Sequence, residues 1–323
     1  MGGQTKPLTG WKPFDIPLSV KSENNHSGEM DVTVCIAAMC DENIIFAVSD
    51  QMLTAGDIQF QPQHMKAIDV TTSILALIAG DAGFQAELFN DLSAKVNFAV
   101  RQPDAPWLKV QEVAEAYVAC HNAARNKRIE ARLLSPLGLT YETFLSQQRN
   151  LAPELVSQVA QEMVAFDVPF CSTIFCGVDE TGAHIFTVNG GKLSCEDNVG
   201  FSAIGSGGRH AESLLMTAEH SRSEPLADTL FRIFSAKKRA EVAPGVGDRT
   251  NLFMVGPALG SLVPVRTDVL DSLERLFKKQ MQSERKALEK IHVEVREYID
   301  EINRQAQEQH AQQAAAAKPP AAD

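Results

Sequence analysis

A chain of 323 residues with 44% hydrophobic content can bury one sizeable core with additions. Its formal net charge of −11 argues against a nucleic-acid partner, because binding phosphates needs a basic face. No apolar run reaches the roughly 18 to 20 residues that cross a bilayer, so no membrane partner is expected.

The opening MGGQTKPLTGWKPF has no basic stretch leading into an apolar one, so no secretory signal is read. Lys6 stands where a myristoylation motif at Gly2 wants Ser or Thr. A cytoplasmic location is expected, where the acidic excess favours solubility and cysteines stay reduced. Cys35, Cys40, Cys120, Cys171, Cys176 and Cys195 have no Cys-x-x-Cys spacing, and most sit in apolar runs. They read as buried thiols rather than metal ligands. The Asn25-His26-Ser27 sequon is set aside because the compartment is wrong for glycosylation.

Residues 1–29 are rich in Pro, Gly, Ser and Asn and read as a flexible leader. Val32–Met39 and Ile44–Ser49 read as two strands joined by a turn at Cys40–Asn43, and a further hairpin follows. Ser73–Ala79 is a third apolar strand, closed by Gly80-Asp81. The period then becomes helical: Phe84, Leu88, Leu92 and Val96 define one helix, and residues 110–124 a second. Residues 125–165 read as helical excursions joined at Pro136-Leu137-Gly138. Strands resume at Cys171–Gly177 and Ala183–Val188, and Gly205-Ser206-Gly207-Gly208 leads into a helix. A helix over 226–236 and a strand over 252–255 complete the series.

Strands, helices, strands, helices and a final strand do not alternate as a doubly wound sheet requires. The order suits an α+β fold in which two antiparallel sheets pack face to face with helices outside, a four-layer αββα sandwich spanning 30–262. From Val269 onward Leu270, Leu273, Phe277, Leu288, Ile291, Val295, Tyr298 and Ile302 recur at three-and-four spacing among charges. This predicts one long amphipathic helix over 263–310, either a coiled-coil seam or a helix packed on the body. Residues 311–323 are low-complexity Ala, Gln and Pro and are expected to be disordered.

Thr33-Val34-Cys35-Ile36-Ala37-Ala38 opens the first hairpin and Phe46-Ala47-Val48-Ser49-Asp50 ends it. Thr54-Ala55-Gly56-Asp57, Lys66 and Ala76-Leu77-Ile78-Ala79-Gly80-Asp81 follow in that order. The succession resembles proteasome β-subunits, members of the N-terminal-nucleophile hydrolases, and is especially similar to their bacterial ancestral-type homologues. The likeness covers roughly residues 30–257 and is weak within 100–168. Asp50 to Lys66 keeps the family's spacing, and one extra residue between Thr33 and Asp50 fits an insertion in the first turn.

The resemblance implies a threonine-type peptidase or amidohydrolase acting on a peptide or protein substrate, without metal or cofactor, assembled as a homo-oligomer through ring-type contacts. It makes Thr33 the nucleophile, with Asp50, Lys66 and Ser206 as its partners. A Thr hydroxyl needs a base, and an α-amino group with a pKa of about 7.7 to 8.0 serves when Thr is the first residue. Two departures from the family stand out. Its further acid has no counterpart in register, and Glu241 and Asp248 are the candidates. Its backbone oxyanion donor, counted from Gly80, falls on Leu77. The residue before Thr33 is Val32, where family precursors usually carry glycine. Two forms therefore stay open: a hydrolase exposed by removal of the leader, or a non-catalytic ring or scaffold subunit that keeps it.

Overall fold

The structure, a computed structural model, describes residues 33–41, 43–55, 58–60, 66–102 and 106–316. The expected leader and Val32 lie outside the described residues, as does the end of the expected tail.

Strands β1 (Cys35–Met39) and β2 (Ile45–Asp50) form the first hairpin, and a small hairpin pairs β3 (Leu53–Ala55) with β4 (Ile58–Phe60). Then come β5 (Ala67–Asp69), β6 (Ile74–Gly80), α1 (Ala82–Val100) and α2 (Val110–Ile129). A π turn and a 3-10 turn lead to α3 (Tyr141–Gln147) and α4 (Pro153–Ala165). The remaining elements are β7 (Cys171–Asp179), β8 (Gly182–Asn189), β9 (Lys192–Cys195), β10 (Phe201–Ile204), α5 (Gly208–Thr217), α6 (Leu226–Ala240), β11 (Thr250–Val255), β12 (Leu262–Pro264) and α7 (Thr267–Ala316).

The fold is mixed α/β with two antiparallel five-stranded sheets, ordered β10-β1-β2-β11-β12 and β5-β6-β7-β8-β9. Strand alternation decides how they pack. On β1, Ile36 and Ala38 share a buried cluster with Ile233 and Phe234 of α6 and Leu215 of α5. Cys35, Ala37 and Met39 face the other way, into a cluster with Leu75, Leu77, Ile174 and Ile185 of the second sheet. The outer face of that sheet, through Ile74, Ala76 and Phe175, buries Phe84, Leu88 and Leu92 of α1 and Tyr117 of α2. Strands covered on both faces carry no polar alternation, which is why β1 and β6 read as continuous apolar runs.

Helix α1 starts where Asp81 accepts a hydrogen bond from the Phe84 N–H at 2.6 Å, closing its first turn. Helix α7 divides in two. Leu273 is buried, and Val269, Leu270 and Phe277 pack beside it on the α6 side of the first sheet. Arg239 of α6 grips both carboxylate oxygens of Glu284 at 2.6 Å. Beyond that pair Leu288, Ile291, Val295, Tyr298 and Ile302 are exposed. The first half thus packs on the body, as one of the two sequence readings had it, and the second half leaves its apolar residues exposed. Its bounds differ from expectation: residues 262–264 pair with β11 as a strand, and the helix runs through Ala316 into the Ala/Gln segment.

Candidate functional site

Four side chains named from sequence meet at one end of the first sheet. Asp50 ends β2 and is fully buried. A carboxylate there must have its oxygens satisfied. Oδ1 accepts from the Val34 N–H at 3.0 Å and the Lys66 ammonium at 2.9 Å, and Oδ2 from the N–H groups of Met52 at 2.9 Å and Gly247 at 3.0 Å. Lys66, almost as buried, donates also to Thr33 Oγ1. Its backbone is fixed by the hydrogen bond from Ile78 N–H to its carbonyl at 2.9 Å, which ties the start of β5 to β6. Thr33, Lys66 and Asp50 thus form a line of contacts shielded from solvent.

Ser206 comes from the turn between β10 and α5. Its Oγ accepts from the Thr33 N–H at 3.3 Å and lies 3.3 Å from the carbonyl oxygens of both Thr33 and Pro244. The preceding Gly205 explains how this turn comes so close. It has φ +87°, and a Cβ there would sit 2.3 Å from the Thr33 carbonyl oxygen. Only glycine fits both conditions.

Leu77 takes a different place from the one the sequence assigned. It sits mid-strand in β6, fully buried between the sheets and paired to both β5 and β7. Backbone direction alternates along a strand. The Ile78 N–H points toward Lys66, so that of Leu77 points toward β7, away from Thr33. The same alternation turns the N–H of Gly80 to the Lys66 side, past the start of β5, at an exposed position. Gly80 has φ +108°, and a Cβ there would lie 2.4 Å from the Phe170 carbonyl oxygen. Gly80, a landmark in the sequence, is thus an exposed end to β6 with positive φ.

Of the two candidate acids, Glu241 is held by lysines: its Oε1 is 2.6 Å from Lys237 Nζ and 2.8 Å from Lys238 Nζ. Asp248 gives its backbone carbonyl to Lys237 at 3.0 Å. Lys237, absent from the residues named from sequence, is fully buried on α6; burial lowers its pKa from the ordinary lysine value, while Glu241 opposes the shift. The signal was present: Ile233, Lys237 and Ala240 share one helix face, and a lysine on an apolar face needs a partner.

An open cleft of about 530 Å³ lies elsewhere, lined by Gln51, Arg249, Asn251, Leu270 and Glu274. The Thr33 cluster is singled out by its chemistry, not by concavity. Among the described residues no group of three or more His, Cys, Asp or Glu is placed to hold a metal ion. No protein-family model matches the chain, and no curated protein matches it.

Proposed function

We propose that the chain is a proteasome-type N-terminal-nucleophile hydrolase, an αββα sandwich that cleaves peptide amides with Thr33 once the residues before it are removed. The observation that carries this reading is the position of Lys66: one buried ammonium touches the Thr33 hydroxyl and the Asp50 carboxylate together. A structural ion pair needs no hydroxyl at that point.

The chemistry follows from the contacts. Cleavage before Thr33 turns its amide nitrogen into an amine, which Ser206 Oγ meets at 3.3 Å. That amine accepts the hydroxyl proton as Oγ1 attacks the substrate carbonyl. The charge on Lys66 keeps the amine's pKa down by like-charge repulsion and stabilises negative charge growing on Oγ1. Asp50 fixes Lys66 and does not attack. The Gly80 N–H is the donor on the side where the tetrahedral oxyanion forms. The protonated amine passes its proton to the leaving amine, an ester forms on Thr33, and water hydrolyses it by the same route in reverse. A cytoplasmic location and ring-type self-association belong to the same proposal.

The test is hydrolysis of a fluorogenic peptide amide by the chain beginning at Thr33, beside the same chain carrying Thr33→Ala. Activity in the first and its loss in the second support the reading. Equal rates in both remove it and leave a non-catalytic subunit of the same fold.

A further inference from the structure

We infer that Lys237 is a positioning residue of the Thr33 site, acting through the backbone of residues 244–248; only its kinetic consequence rests on the hydrolase reading. The Lys237 ammonium meets Glu241 Oε1 at 2.6 Å and the carbonyl oxygens of Gly247 at 2.9 Å and Asp248 at 3.0 Å. Three N–H groups of a fully buried ammonium thus have three acceptors. The same short segment reaches the Thr33 site at two points. The Gly247 N–H donates to Asp50 Oδ2 at 3.0 Å, and the Pro244 carbonyl lies 3.3 Å from Ser206 Oγ.

Gly247 is the link. Its carbonyl is held by Lys237 and its N–H holds Asp50, so one residue's backbone joins the two buried lysine sites. A segment reading Pro-Gly-Val-Gly-Asp has two glycines and little intrinsic preference for one conformation. A buried charge supplies that preference by making a displaced carbonyl expensive. Asp50 then orients Lys66 on Thr33 Oγ1, so an error at Gly247 is passed to the reacting atom. Lys237 touches neither the hydroxyl nor the substrate side of the site and acts through this backbone.

The test compares Lys237→Met with wild type and with Arg239→Gln, which breaks a contact of the same helix to α7. Hydrogen exchange at the amides of 245–248 is measured in the full chain, and kcat and KM for a fluorogenic peptide amide in the chain beginning at Thr33. The expected result for Lys237→Met is lost protection of those amides and a kcat lowered about 10- to 100-fold with KM nearly unchanged. Arg239→Gln is expected to match wild type in both. A folded Lys237→Met protein with wild-type protection, or with loosened amides and wild-type kcat, overturns the inference. If that variant does not fold, Glu241→Gln takes its place, with the same loosening expected and unchanged protection again overturning it. If wild type beginning at Thr33 fails to hydrolyse, the hydrolase reading alone falls, and exchange still decides whether Lys237 holds the segment.

Discussion

Asp50 ties the site together, because one buried carboxylate satisfies three backbone N–H groups and a lysine. Asp50→Asn keeps the volume but leaves the Lys66 charge without its counter-ion. Breaking a buried pair in this way costs about 3 to 5 kcal/mol. Urea denaturation is expected to register a loss of that order together with loss of hydrolysis; a variant as stable as wild type contradicts the geometry. Gly205→Ala is the steric counterpart. A Cβ lodged 2.3 Å from the Thr33 carbonyl oxygen forces the Ser206 turn away. A positive φ adds strain of roughly 1 to 3 kcal/mol, so both thermal stability and the reactivity of Thr33 are expected to fall.

What was legible at this scale follows from chain position. Thr33, Asp50, Lys66 and Ser206 were read through the resemblance to proteasome β-subunits, whose order along the chain they keep. Lys237 and Gly247 were not read because their roles arise where α6 crosses the sheet; there the Lys-Lys-Arg run over 237–239 looks like a solvated face. Leu77 was misplaced because counting residues ignores which way a strand's N–H groups point.

Elements were recovered where burial is periodic. Phe84, Leu88, Leu92 and Val96 announced α1, and the runs at β1 and β6 announced strands covered on both faces. The edge strands β9 and β12 carry little apolar burial and left no such trace. Removing the α1 cap with Asp81→Ala is expected to cost about 1 kcal/mol in thermal or urea unfolding. The division of α7 makes a sharper prediction. Leu273→Ala opens a cavity in the first sheet's outer core and is expected to cost about 2 to 5 kcal/mol. Truncation after Arg285 removes turns whose described side chains over 286–309 are exposed save for the half-buried Glu301, and is expected to leave the unfolding midpoint unchanged. Its effect on solution mass then reports on self-association without damage to the core, which a cut at residue 265 does not permit.

For the whole molecule, pH enters through two buried histidines on different layers. His121 packs edge-on against Phe84 on α1, and His220 lies edge-on to Phe201 of the first sheet. Burial holds both below the ordinary 6.5. The unfolded chain therefore binds protons before the folded one does. Their contribution to stability is complete above about 6.5 and is lost as pH falls through the lowered folded values. Urea midpoints taken from pH 7.5 down to pH 5 are expected to decline, and His121→Leu to flatten part of that decline relative to wild type. An identical slope in the variant contradicts the assignment.

The claim on which the rest depends is that a free amine appears at Thr33. Intact-mass analysis of the protein purified from cells that make it naturally tests this most directly. The expected product is a chain whose first residue is Thr33 and which gains the mass of one electrophile captured by the hydroxyl and amine of that residue. A chain that retains Val32 and takes up no electrophile contradicts it.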